Sequence, residues 1–389
     1  GFDAVQVDLA AHLMRVVLIQ TLVFTVSGIL VGSLRAHQHF LLPAVAPLCY
    51  TTSRILGTLF LAPRLGIFGL AWGGLAGAVL YLLVLVPGLA RYGARWWPTL
   101  CHRDLRALLV LMGPRMMGLG ATYLTFVLPT YLGSRLSAGT ISSYEYAWRL
   151  MQFPETFIGT AVGITVFPTL SALAETGDIE GLRRTASWAL NLVLALAIPA
   201  GVGMLILGRP LTVLFLQRGA FNAETTSRVV RALQFFTLGL VTHSALEVTS
   251  RLFYAQRNVW TPFLAALAGL GVNAIAGWLL LPALAQGGIA LANSLGAGLQ
   301  VVLLMIVAQW PLGGFGERSL GLSLVRTVVA SALMAVAPLG FLAVFSESRM
   351  IVLTAGGLVL GVGTYLVGAL LLRSDEIREL PGLLLNRRE

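Results

Sequence analysis

Apolar residues run for 20 or more positions at a time along this chain, and the interruptions fall at Gly, Pro or clusters of charge. Eleven such runs predict eleven elements, at approximately 7–34, 41–62, 65–90, 107–132, 139–173, 184–208, 225–255, 259–281, 285–310, 321–345 and 350–372. Each is long enough to cross a hydrocarbon core about 30 Å thick as a helix. The runs are continuous rather than alternating, which argues against a closed barrel. Helices are the other structure whose backbone hydrogen bonds are satisfied internally in lipid. The pattern therefore predicts an all-α polytopic membrane protein.

Composition supports this. Of 389 residues, 57% are hydrophobic and 11% charged, against about 25% charged in an ordinary soluble domain. All 26 basic residues are Arg, and with 16 acidic residues they give a net charge of +10. Alternate connections between the runs hold 14 Arg on one side and 7 on the other. The Arg-rich side is expected to be cytoplasmic, which places the C-terminus inside and Gly1 outside. Topology thus accounts for the basic excess, and no basic stripe with interleaved aromatics points to a nucleic-acid partner. The chain starts without Met and shows no basic region before a short apolar core, so no signal peptide is read and a missing N-terminal segment is expected.

Catalytic signatures are not found. Cys49 and Cys101 have no metal-ligand spacing, and the His37/His39 pair has no third ligand nearby. There is no Walker motif, nucleophile elbow, H-E-x-x-H or pair of catalytic carboxylates. The expectation is a non-enzyme with no metal and no bound cofactor.

Sliding the chain against itself by 219 residues superposes Pro43 on Pro262, Pro63 on Pro282, Gly69 on Gly288, Gly77 on Gly296 and Ala78 on Ala297. Internal repeats are common in transporter folds. The offset carries the first three runs onto the seventh, eighth and ninth. A shift of six helices preserves orientation, so the predicted repeats are parallel, with six helices each. The second repeat begins near residue 104, which leaves three helices of the first lobe outside this chain.

Ionisable groups inside a span are functional candidates by default, because a charge at the bilayer centre costs roughly 2.5 kcal/mol or more. Arg149 lies about ten residues inside the fifth run and offers a planar fork suited to a phosphate or pyrophosphate; the alternative is a structural ion pair with Glu145, four residues earlier. His243, Glu247 and Arg251 follow at i, i+4 and i+8 as one polar stripe. The stripe could relay protons or bind a cation, or Glu247 and Arg251 could simply neutralise each other. Arg15 and Arg54 could face a cavity, whereas Arg115 and Arg326 sit near span ends and are expected to snorkel. Asn273 and Asn293 read as interhelical hydrogen-bond partners. Between Arg209 and Arg231 the pattern gives a connection with an apolar piece, Leu211 to Leu216, and a cap at Asn222 or Thr225.

The stretch Tyr146-Ala147-x-Arg149-Leu150-x-x-x-Pro154, followed by Gly159, Ala161, Gly163 and Pro168-x-Leu170-Ser171, resembles the MurJ (MviN) lipid II flippases, a branch of the multidrug/oligosaccharidyl-lipid/polysaccharide exporter superfamily. Arg218-Gly219-Ala220-Phe221, Phe253-Tyr254-Ala255 with Thr261-Pro262, and Pro43-Ala44-x-Ala46-Pro47 carry the same resemblance. It implies a two-lobed fold of fourteen helices, of which this chain resembles helices four to fourteen. Residues 1–95 then correspond to the remainder of the first lobe, 104–312 to the second lobe, 319–372 to a terminal helix pair and 373–389 to a cytoplasmic tail. The implied activity is alternating-access translocation of lipid II, an undecaprenyl-pyrophosphate-linked cell-wall precursor, in a bacterial plasma membrane. Membrane lipids and the cell-wall synthesis machinery are the implied partners, and coupling to membrane potential, Na+ or H+ is the implied drive. An Arg at the position of Arg149 is implicated in holding the pyrophosphate. Two departures stand out: Trp148 replaces the usual Asp or Asn before that Arg, and Asn258-x-x-Thr261-Pro262 replaces a D-x-x-T-P pattern near a region linked to cation binding. Another polyprenyl-linked oligosaccharide, an amphipathic drug as cargo, or a non-transporting scaffold remain the alternative readings.

Overall fold

The computed structural model describes residues 3–90, 120, 123–314, 317–345 and 349–372. Every regular element among them is helical. We number them α1 (Ala4–Ala36), α2 (Leu41–Leu65), α3 (Ile67–Ala90), α4 (123–133), α5 (Thr140–Thr176), α6 (Ile179–Leu216), α7 (Ala223–Ala255), α8 (Trp260–Leu284), α9 (Gln286–Leu312), α10 (Glu317–Val344) and α11 (Met350–Leu371). Ten are long and apolar enough to cross a membrane. The predicted span 107–132 falls largely outside the described residues, as do Cys101, Arg115 and the tail 373–389.

Local chemistry sets the helix limits. Asp3 caps α1 through a reciprocal pair of bonds with Gln6, and Asn222 Oδ1 accepts from the Thr225 amide at 2.9 Å to open α7. Of the two candidate caps before α7, Asn222 is the one used. Asp178 accepts from the Gly181 amide and starts α6. Gly177, with φ +71°, ends α5 in the left-handed region that a glycine adopts without steric cost.

The structure corrects the sequence in one connection. Leu211–Leu216 do not lie in a loop: α6 continues through Pro210 to Leu216, and Arg228 and Arg231 belong to α7. Only 217–222 remain as a turn. A proline is tolerated inside a membrane helix because neighbouring helices can satisfy the freed backbone group.

The chain divides into two compact units, Gly1–Leu109 and Val110–Glu389. In the first, α1 packs on α3 around Leu30, Leu34, Ala46 and Leu85. Helices α2 and α3 cross in near backbone contact: a methyl group at Gly57 would lie 2.6 Å from the Gly73 Cα. Close approach through small residues is the usual basis of helix association in lipid.

In the second unit α7 is central, contacting α5, α6 and α9. One apolar cluster joins Leu170, Leu182, Val193, Leu252 and Leu304, and another joins Leu132, Tyr144, Met151, Leu233, Phe236 and Ile289. Helices α10 and α11 pair and dock on α6, where the Tyr365 hydroxyl donates to the Ala195 carbonyl. Outward positions such as Ile275, Leu279, Val336 and Val359 are exposed and apolar, as lipid-facing surfaces require.

Candidate functional site

The second unit encloses a cavity of about 570 Å³ between α4, α5, α7, α8 and α9. Glu145, Trp148 and Glu155 on α5 face it, as do His243, Glu247 and Arg251 on α7. On α5, positions 148, 151, 152 and 155 recur at helical spacing and turn one face inward. The stripe anticipated on α7 does the same.

Within this stripe Arg251 is the organising cation. Its Nη2 lies 2.8 Å from Glu247 Oε2, and its Nη1 donates to the Thr160 carbonyl at 3.3 Å. The guanidinium lies directly over Gly163, so closely that a methyl group there would overlap it. Thus the self-neutralising pair of Glu247 with Arg251 is formed. His243 is held separately: Nε2 donates to Asn293 Oδ1 at 2.9 Å, and its ring meets that of Trp148 edge-on at 5.2 Å between centroids. The first bond ties α7 to α9, the bridging role anticipated for Asn293. Asn273 differs, since its buried Oδ1 has no hydrogen-bond partner among the described residues.

Glu155 is the member of the site that sequence reasoning missed. It is 9% exposed and, among the described residues, accepts one hydrogen bond, from the Thr160 hydroxyl at 3.3 Å. Glu155 immediately precedes and Thr160 closes a π-helical turn, Thr156–Thr160, in the middle of α5. Such turns inside α-helices occur frequently at functional sites. Gly159 of this turn lets α5 approach α7, since a methyl group there would lie 2.6 Å from the Ser244 Cα. A usable signal did exist: Glu155 is an acidic residue within an apolar run, directly after Pro154.

The remaining predicted residues lie elsewhere. Arg149 is exposed on α5 and is not part of the cavity wall. The alternative reading, an ion pair with Glu145, is not formed: among the described residues neither Glu145 nor Arg149 has an ion-pair partner within 4.0 Å. In the first unit Arg15 and Arg54 are both exposed, and the Arg54 guanidinium sits 5.6 Å from the centre of the Tyr50 ring. Asn258 makes a local turn, donating to the Thr261 hydroxyl at 2.8 Å and accepting from the Thr261 amide at 3.1 Å.

A polytopic helical protein whose ionisable residues gather around a cavity at membrane depth belongs to the class of membrane carriers. The comparisons supply the particular family. Residues 1–356 match the family described as "Lipid II flippase MurJ", and the chain belongs to that family, whose members are transporters rather than enzymes. The chain is 29% identical over 312 residues to the lipid II flippase MurJ of Burkholderia cenocepacia, covering 78% of this chain and 60% of that protein. It is 28% identical over 383 residues to the probable lipid II flippase MurJ of Rhizobium tropici, covering 95% of this chain and 70% of that protein. The solved structure "Lipid II flippase MurJ, inward closed conformation" superposes with a TM-score of 0.79 at 23% identity, covering 93% of this chain and 75% of that one. The fold is therefore that of the family, and the protein is a multi-pass membrane protein. The chain spans about 60% of the length of the Burkholderia relative.

Proposed function

We propose that the protein translocates lipid II across the bacterial plasma membrane by alternating access. The pyrophosphate-linked head group crosses through a polar cavity while the undecaprenyl tail stays in lipid. Arg149 is the residue that carries this reading. It stands ten residues into α5, roughly 15 Å along the helix, exposed and without an acidic partner among the described residues. A guanidinium at such a depth is costly against lipid, and facing an anionic head group gives it a function consistent with that cost. Arg15 and Arg54, each exposed on a membrane-spanning helix of the first unit, are further candidates for meeting an anionic head group.

In this reading residues 1–95 and 104–312 belong to two lobes, 319–372 form the terminal helix pair, and the tail 373–389 is cytoplasmic as the Arg distribution requires. Membrane potential or a cation drives the return step, with the cavity of the second unit as the coupling element. Cell-wall synthesis enzymes are the expected neighbours of such a flippase.

The test expresses the complete reading frame, with any coding sequence upstream of Gly1, in a bacterium depleted of its own lipid II flippase. Rescue of growth by the unaltered protein and a loss of at least tenfold in plating efficiency with Arg149→Ala are expected. Full rescue by Arg149→Ala would remove the site assignment. Failure of the unaltered, membrane-inserted protein to rescue, combined with binding of another undecaprenyl-linked glycan, would transfer the activity to that cargo.

A further inference from the structure

The cavity of the second unit carries three carboxylates, Glu145, Glu155 and Glu247, against one guanidinium, Arg251. Glu247 is matched by Arg251, and Glu145 is only half-buried. Glu155 is different: it is buried at membrane depth, and its one hydrogen bond comes from a neutral hydroxyl. An ionised carboxylate so placed carries a large desolvation cost, and the neutral form avoids it. Next to it lies a second unsatisfied group. The Ser244 hydroxyl is fully buried with no hydrogen-bond partner among the described residues, and the Ser244 Cβ and Glu155 Oε1 lie 3.0 and 3.1 Å from the same point above Gly159.

We propose that Glu155 is a proton-carrying residue and that Arg251 is the counter-charge that takes over when the proton leaves. The proposal draws on the flippase reading only for what the proton drives. In this scheme Glu155 starts with a proton and the Glu247–Arg251 pair is neutral, so these three groups carry no net charge. Release of the proton into the cavity leaves two carboxylates sharing one guanidinium, and the site gains one negative charge. Arg251 can serve both because it is already bonded to the Thr160 carbonyl, on the residue whose hydroxyl donates to Glu155. Gly163 provides the shelf on which the guanidinium rests while turned to Glu247. The π-helical turn links this exchange to the shape of α5, because Thr160 closes that turn.

The surroundings of Glu155 are consistent with a single exchanging proton. On α7 it faces Glu247 and Arg251 within electrostatic reach. The other titratable walls of the cavity are Tyr144 and Glu145 on α5 and His243 and Tyr254 on α7. Helices α4, α8 and α9 contribute no charged group to the wall among the described residues, their polar side chains there being Thr125, Asn293 and Gln300. On α6, Ala189 and Val193 belong to the apolar cluster against which Ile158 of the π-helical turn packs.

Infrared difference spectroscopy of the purified full chain in lipid, without cargo, tests this directly. The unaltered protein should show a protonated-carboxyl band at neutral pH that disappears as the pH rises. Glu155→Gln should abolish the band, and Glu247→Gln should retain one. Thr160→Val should shift its frequency by removing the hydrogen bond, a signature available even if Glu155→Gln fails to fold. Absence of the band in the unaltered protein, or its persistence in Glu155→Gln, would overturn the proposal. So would stoichiometric binding of radioactive sodium that is lost in Glu155→Gln, since sodium would then supply the missing charge. The band is independent of lipid II, so its presence or absence is separable from failure of the flippase assay.

Discussion

Residues 3–90 and 222–312 are two three-helix blocks built to one plan with different contents. At an offset of 219 residues, Asp3 and Asn222 cap helices of 33 residues each. The helices end at Ala36 and Ala255, and the next begin at Leu41 and Trp260 and run 25 residues each. In the turn between them Gln38 and Arg257 both adopt φ +59°. The following break places Gly66 at φ +59°, ψ −137° and Ala285 at φ +50°, ψ −127°. The backbone plan is thus shared down to single dihedral angles. Side chains are not: His243, Glu247, Arg251 and Asn293 correspond to Phe24, Gly28, Gly32 and Gly74. One block carries an ionisable wall, while the other places Phe24 edge-on against Tyr50 and Tyr81. Caps and breaks suffice to define the block, and its chemistry is added independently on helix faces.

The largest effect in such a comparison should come from removing the charge found in one block only. Arg251→Ala leaves Glu247 without its counter-charge and should destabilise the second unit by about 2 kcal/mol, a value reduced from that of a fully buried pair because Glu247 is 37% exposed. The matching change Gly32→Ala, where an added methyl meets nothing within 4 Å, should leave stability unchanged or slightly raised. Thermal unfolding in detergent with a fluorescent thiol or tryptophan readout would compare them, and equal midpoints would refute the assignment of Arg251 as organising cation.

A smaller difference is expected at the helix crossing. Gly57 and Gly73 correspond to Ala276 and Ala292, so the second block already accommodates methyl groups where the first has near backbone contact. Gly57→Ala should cost about 1–3 kcal/mol by forcing α2 and α3 apart. Ala276→Gly should cost about 1 kcal/mol through backbone entropy alone. Protease accessibility of each unit would rank the two, and a milder effect for Gly57→Ala would show that the crossing is not tight.

The smallest effect should come from exchanging the residues at the shared break. Ala285→Gly relieves a positive φ and should stabilise by about 1 kcal/mol or less, whereas Gly66→Ala should destabilise by a similar amount. Opposite shifts in melting midpoint are the expected result, and shifts of the same sign would mean the two breaks are not equivalent.

Much of the fold could be read directly from the chain. Ten of the eleven predicted spans recur as helices, with ends displaced by a few residues except at the end of α6, because hydrophobic length and breakers act locally. The stretch Leu211–Leu216 was misread since Arg209 and Pro210 resemble the end of a span, yet neighbouring helices can compensate a proline in lipid. For the site, the α7 stripe was legible because four-residue spacing alone places His243, Glu247 and Arg251 on one face. Glu155 and Gly163 were not, since their importance depends on what α7 brings against α5.

The sequence by itself determined that this is a helical membrane protein of the MurJ family, where most of its helices start and stop, and that two blocks share a plan. Those properties depend on transfer of apolar length into lipid, on caps and on turn residues, all short-range along the chain. Only the tertiary structure decided that Arg251 rests on Gly163 between Glu247 and the Thr160 carbonyl. It also decided that Glu155 is buried beside a single hydroxyl and that Arg149 points away from the cavity of its own unit. The physical reason is that a charge's energy in a membrane depends on which groups from other helices lie within a few ångströms, and spacing along one helix does not encode that.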